Sequence, residues 1–364
     1  MQLGCTKKLQ DYLKRDISPA DQSADPFFSW SADLLTINRR KTISVVNDYT
    51  RCGFVLYGVA AKTMKNLEQQ IMDGIRAMLV ADEIAPDLID RYMEGCGQTI
   101  TFTKTRDRST VARMNKFNER VHYMADKFVL EPLLQKHCLR WLSDNMISSH
   151  GRYDSTLDLL KRAFTDHYST DSVFQYHTLT LMVNLQLDVP CSRVVQVPAS
   201  FTLADLHKIV QHLFYWKNYH LHEFRTMDDM PLDIAFPEYA DLAEIGEYDE
   251  SDCAKIEQCV SLPEAFAQYQ TMIYIYDFGD NWQHEITLTD ETTDDESASP
   301  LCIAAIGTPP PEDVGGETGF AELRHILSNP QDEEYEDMKN WADGMGWKPF
   351  DMEQINEALK RRCW

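Results

Sequence analysis

The chain reads as α+β in two domains, each an antiparallel or mixed sheet packed with helices. Three observations predict this. At 364 residues it is long for a single hydrophobic core. Strand-like alternation is interleaved with helix-spaced apolar residues in both halves. Between Tyr274 and Ile286 the run Tyr-Ile-Tyr-Asp-Phe-Gly-Asp-Asn-Trp-Gln-His-Glu-Ile alternates, breaks around Gly279, and alternates again, which is how a hairpin is written.

In the first half, Leu34 to Ile37, Thr42 to Val46 and Cys52 to Val59 suggest an antiparallel meander, with Asn38-Arg39-Arg40-Lys41 as its first turn. Lys62 to Val80 carries Met64, Leu67, Ile71, Ile75, Met78 and Leu79 at helical spacing. Pro86 opens a second helix that Gly95 and Gly97 end. Thr99 to Thr103 is a strand candidate, and Ser109 stands as the N-cap of a helix running toward Lys127. Residues 129–168 read as a helical connector broken near Gly151. The expected layout is a first domain over 1–150, a connector over 151–172 and a second domain over 173–364.

In the second half, Leu179, Leu181, Val183, Leu185 and Leu187 alternate as a strand with one buried face, and Val194 to Val197 follows Pro190. Thr202 and Asp205 form a capping box for a helix through Phe214. Tyr219 to Thr226 is expected as strand, 227–262 as an acidic irregular insertion, and 290–299 as an acidic loop. The Pro309 to Gly316 turn and two closing helices complete the chain.

Composition narrows the function classes. No apolar run approaches the roughly 18 residues of a membrane span, and the N-terminus lacks the apolar core of a signal peptide. A cytoplasmic protein with no membrane contact is the expectation. Nine dispersed cysteines without a Cys-x-x-Cys pair read as reduced, buried thiols rather than a zinc ribbon. Residues 1–160 hold 22 Lys+Arg against 20 Asp+Glu, a net of +2; residues 161–364 hold 13 against 38, a net of −25. The acidic half repels a phosphate backbone, so any nucleic acid would bind the first half. There is no glycine-rich phosphate loop, nucleophile elbow or His-Glu-x-x-His.

Several ordered motifs carry a resemblance. They are Pro190 to Pro198, Thr202-Leu203 with Leu206-His207, and Trp216 with His220-Leu221-His222-Glu223-Phe224. Tyr276-Asp277-Phe278-Gly279-Asp280 with Trp282 and His284, then Pro310-Pro311-Glu312-Asp313 with Gly315-Gly316, and Ile355-Asn356 complete the set. In this order they resemble the plasmid pRiA4b Orf-three-like family of plasmid- and transposon-associated proteins. The chain departs from that pattern in carrying Cys191-Ser192-Arg193-Val194 where the family has Ile-Trp-Arg-Arg. It also has Pro309 and Val314 where the family often has cysteines. The first half, through Cys5-Thr6-Lys7-Lys8-Leu9, Asn47-Asp48 and Lys104-Thr105-Arg106, resembles a separate bacterial domain family of unknown function. Neither resemblance implies an established activity.

Candidate sites follow from residue type and spacing. An extended Tyr219 to Phe224 would project His220 and His222 from one face about 7 Å apart. With Asp277, Asp280 and His284 they form a candidate N/O site for a divalent metal such as Zn, Mn or Fe. The competing structural reading makes His284 a core histidine and lets Asp277 and Asp280 close the turn. Asp277, Asp280, Glu312 and Asp313 are the candidate catalytic carboxylates; alternatively Glu312 and Asp313 favour the start of a helix from Gly319 to Ser328. Lys104, Arg106, Arg108, Arg113, Lys116 and Arg120 are the candidate nucleic-acid contacts, the last three on one helical face.

Three functional readings are in play. The first is an accessory or binding protein of mobile-element origin with a protein partner and nucleic-acid contact through its first half. The second is a metal-dependent hydrolase or nuclease. The third is an acidic nucleic-acid mimic that inhibits a host enzyme.

Overall fold

Nearly every residue of the first sheet is buried, because helices cover both of its faces. The computed structural model describes residues 1–364 except 16, 61–62, 131, 150–151, 236–255, 295–298 and 362–364. It divides into two units, Met1–Gln175 and Tyr176–Trp364.

In the first unit, β1 (Gln2–Cys5) is followed by α1 (Lys7–Leu13), then β2 (Trp30–Ile37), β3 (Arg40–Asn47) and β4 (Gly53–Tyr57). After α2 (Leu67–Ala81) and α3 (Pro86–Cys96) comes β5 (Thr101–Lys104), then α4 (Arg108–Tyr123) and α5 (Leu139–Ser143). The sheet order is β4-β3-β2-β1-β5. The expected meander is present as the antiparallel β2, β3 and β4, while β1 lies parallel to both β2 and β5. Alternation sorts each strand between two cores: Phe54 and Leu56 join Trp30, Ile71, Ile75 and Tyr92 on one face, and Val55 and Tyr57 join Met114, Phe117 and Val121 of α4 on the other. Burial on both faces explains why these strands read as continuous apolar runs.

Two local expectations are corrected. The N-cap of α4 is Asp107, whose carboxylate accepts from Thr110 N–H at 2.7 Å, not Ser109, which lies inside the helix. Two strands, β6 (Met146–Ser149) and β7 (Arg152–Ser155), pair antiparallel where helix had been expected. A Ser155–Asp158 capping box then starts α6 (Thr156–Tyr168). Leu160, Ala163 and Phe164 of α6 enter the first core, so this helix packs as part of the first unit.

The second unit holds a six-stranded sheet. Its strands are β8 (Tyr176–Leu185), β9 (Ser192–Pro198), β10 (His222–Thr226), β11 (Thr271–Tyr276), β12 (Trp282–Asp294) and β13 (Leu301–Ile306). All pairings are antiparallel, in the order β10-β11-β12-β8-β9-β13. The helices are α7 (Leu203–Leu213), α8 (Leu232–Ala235), α9 (Leu262–Gln268), α10 (Gly316–Leu327), α11 (Tyr335–Met345) and α12 (Met352–Arg361). The Thr202–Asp205 capping box opens α7 as expected. The acidic stretch 290–294 is not loop: β12 continues through it, paired with β8, and residues 295–298 lie outside the described residues. Most of the 227–262 insertion lies outside them as well, but α8 and the start of α9 within it are helical. Fully buried Arg193 donates to the carbonyls of Ser192, Leu213, Ile306 and Gly307, tying β9 to the end of α7 and to the end of β13. A buried guanidinium is tolerable because it is hydrogen-bonded in this way.

Candidate metal centre

Three loops converge at one end of the β11–β12 hairpin. The first precedes β10. His220 lies there, two residues before the strand, so it does not share a strand face with His222 as the sequence pattern had suggested. The second is the hairpin bend, where Asp277 adopts a left-handed φ of 57°. Its Oδ1 accepts from Gly279 N–H at 2.9 Å and Asp280 N–H at 3.3 Å, closing the turn as the structural reading proposed. The third is the Pro309–Gly316 loop, in which Asp313 has a φ of 59°.

These loops bring His220 Nε2 to 3.0 Å from Asp313 Oδ1 and 3.5 Å from Asp277 Oδ2. One donor atom from each residue lies within 4.8 Å of the others, the group among the described residues that could hold a metal ion. His220 Nε2 is inaccessible to solvent, yet neither carboxylate is placed to hydrogen-bond with it. Asp277 is buried and the Asp313 carboxylate is half exposed, so the cluster opens to solvent on one side.

Neighbouring side chains fix the loops rather than join the cluster. The Tyr276 hydroxyl donates to Glu312 Oε1 at 2.6 Å and accepts from Tyr219 N–H at 3.0 Å and His220 N–H at 3.4 Å. Glu312 Oε1 also accepts from Lys217 N–H at 3.1 Å. Burial, and the Glu312 carboxylate beside it, raise the Tyr276 pKa, so the hydroxyl keeps its proton and remains a donor. Glu312 is therefore a bracket between loops, not a helix-start carboxylate; α10 begins at Gly316 with Gly315 as its N-cap. Asp280 Oδ2 accepts from Gly315 N–H at 3.3 Å. A side chain at Gly316 (φ 67°) would place Cβ 2.8 Å from the Asp280 carbonyl oxygen, so the loop approaches the hairpin only because that residue is glycine.

Two expected ligands, His222 and His284, lie away from the cluster. His222 Nε2 is 2.9 Å from Glu257 Oε2, and its ring stacks on His207 at 3.5 Å with 7° between planes. His207 in turn meets the Tyr274 hydroxyl at 2.7 Å and Asn218 Oδ1 at 3.0 Å. Burial, then His222, drive the His207 pKa down to about 3, so the stack contains a neutral imidazole. Burial pushes the Glu257 carboxyl up, while His222 pulls it down. His284 is fully buried, packed edge-on to Phe214 at 4.6 Å, and burial lowers its pKa to about 3. It is the core histidine of the structural reading. Sequence reasoning missed Glu257, which sits among the many carboxylates of the acidic insertion and carries no distinguishing pattern. It also missed the role of Tyr276, whose position in an alternating strand signals only burial.

In the first unit, most of the basic stripe along α4 serves the fold. Arg106 donates to the Ala24 carbonyl, Arg113 to the Asp48 carbonyl, and Arg120 to the Trp141 and Asp144 carbonyls and Asn145 Oδ1. Lys116 pairs with Glu119 at 3.0 Å. Lys104 and Arg108 lie just ahead of and at the first turn of α4.

Comparison with known proteins places both units. Residues 2–157 match a Domain of unknown function (DUF6933). An uncharacterized protein y4hQ of Sinorhizobium fredii is 29% identical over 169 residues, covering 46% of this chain and 82% of that protein. The crystal structure of a protein of unknown function, MM3350 from Methanosarcina mazei Go1, is 28% identical and covers 49% of this chain and 97% of its own, with a TM-score of 0.40. Residues 177–358, from β8 into α12, match the family described as Plasmid pRiA4b ORF-3-like protein, and the chain belongs to that family.

Proposed function

We propose that the chain is an accessory binding protein whose second unit holds a divalent cation between His220, Asp277 and Asp313. The observation that carries this reading is the buried His220 Nε2, without a hydrogen bond, facing two carboxylate oxygens at 3.0 and 3.5 Å. A buried polar atom left unpaired is costly. A cation offsets that cost by taking the nitrogen lone pair and balancing the two carboxylates. One imidazole nitrogen with two carboxylate oxygens suits Zn, Mn or Fe. The accessory role rests on the plasmid-type family and on the lack of a nucleotide loop or nucleophile motif in the sequence. The net negative charge of the second unit suits a basic protein partner.

Hydrolysis is the second reading. Three protein donors leave coordination positions for water or substrate, as catalytic sites do. A groove of about 480 Å³ that shares Asp313 and is lined by Glu322, Asp337 and Trp341 favours it.

Metal analysis of the full chain purified without chelators, followed by titration with Mn²⁺ and Zn²⁺, tests the proposal. About one equivalent per chain is expected. His220→Ala should weaken uptake by at least about a hundredfold, more than loss of an outer-shell partner costs, without changing the circular dichroism melt. Uptake below stoichiometry at saturating metal, or uptake indifferent to His220→Ala, removes the reading.

A further inference from the structure

The last turn of α4 and the short α5 put two aromatic rings on the surface of the first unit. Tyr123 is 76% exposed and stacks on Trp141, with centroids 5.5 Å apart and 10° between planes. The Arg120 guanidinium lies 4.1 Å from the Trp141 ring centroid, held by its bonds to Asp144 and Asn145. Arg120, Tyr123, Trp141, Asn145 and Met146, with the Lys116–Glu119 ion pair, line an open groove of about 450 Å³. Burial does not explain the placement of Tyr123, since most of its ring faces solvent.

A cationic turn is fastened beside this groove. Asn38 Nδ2 donates to the Ala125 carbonyl at 2.8 Å, two residues beyond Tyr123. That bond anchors the β2–β3 turn of Asn38 and Arg39, and Arg39 is exposed, as are Arg40 and Lys41 at the start of β3. The surface therefore presents an exposed aromatic ring near Arg39 of the turn and Arg40, which shares the α4 face of the sheet with its partner Ile37.

We propose that this surface is a binding site for single-stranded nucleic acid, with a base stacking on the exposed ring of Tyr123, which Trp141 backs, and phosphates meeting Arg39 and Arg40. Single strands offer unstacked base faces, which aromatic platforms bind without regard to sequence. A duplex keeps those faces against one another. The cations distinguish a polyanion from an apolar protein segment as occupant. The acidic second unit would repel the same ligand, which leaves the first unit as the place for it.

Fluorescence anisotropy of the full chain with a labelled oligothymidylate, its RNA counterpart and a duplex of equal length tests this. Both single strands should bind in preference to the duplex. Tyr123→Ala should weaken binding by about tenfold, and Tyr123→Phe, which keeps the ring face, should restore it. Arg40→Gln should lower affinity and reduce the slope of log affinity against log salt by about one. Circular dichroism of each variant confirms the fold, which an exposed position leaves intact. The proposal is overturned by undetectable single-strand binding, by duplex preference, or by equal binding of Tyr123→Ala. Self-association that Tyr123→Ala abolishes, without oligonucleotide binding, would overturn it in favour of a protein contact.

Discussion

Asp82, just past the end of α2, has both carboxyl oxygens buried. Burial pushes its pKa up to about 8, against the pull of the Ser143 hydroxyl and of Arg140, which is committed to Glu83 at 2.7 Å. A folded-state value above the unfolded one means the native state holds the proton more tightly. Stability contributed by this group is thus greatest in acid and declines as pH rises from about 4 to about 8. Asp82→Asn should remove the decline: the variant gains on wild type by a few kcal/mol across that window, read from denaturant melts at several pH values. A difference that stays flat with pH would contradict the assignment. His284 has the opposite sign. Its depressed pKa adds stability that is present above about 6.5 and lost as pH falls toward about 3. Asp82 is not marked in the sequence, and His284 is marked only with two readings open, because a lone Asp or His in an apolar neighbourhood reads the same whether or not its partners arrive.

At the scale of elements, the β11–β12 hairpin shows how far pattern reading reaches. Period-two alternation and the Asp-Phe-Gly-Asp bend were enough to place both strands; the structure adds the register, with Tyr276 opposite Trp282. The same pattern could not say which loops meet its end. The candidate centre depends on the Tyr276 hydroxyl joining the loop before β10 to the Pro309–Gly316 loop through Glu312. Tyr276→Phe keeps the ring packed on Trp216 at 4.9 Å but cuts that link. The expected outcome is metal affinity lower by about tenfold to a hundredfold, as for other outer-shell partners, with Tm little changed. Isothermal titration with Mn²⁺ measures it; wild-type affinity in the variant would show that the loops need no such brace. The β6–β7 pair illustrates the reverse error. Four-residue strands are too short to display a period, so 146–155 blended into the helical stretches around it.

For the whole molecule, each unit closes its own hydrophobic core. The first does so with α6 included, through Leu160, Ala163 and Phe164, and with Val173 beyond it. Fragments Met1–Gln175 and Tyr176–Trp364 should each fold alone, shown by cooperative melts and dispersed amide spectra. Ending the first fragment at residue 150 should destabilise it by several kcal/mol, since Leu160 and Phe164 leave the core together. A stable 1–150 fragment would argue that α6 is dispensable. The charge contrast between the halves is legible directly in the composition, which puts the excess of acidic residues in the second unit.

The sequence by itself determined the α+β class, the meander, the capping box of α7, the hairpin and the family, since each rests on local periodicity or ordered local motifs. Tertiary structure alone decided that His220 meets Asp277 and Asp313 while His222 turns to Glu257 and His284 enters the core. Three loops separated by tens of residues supply that first cluster, and side chains on irregular backbone have no period from which their direction can be read.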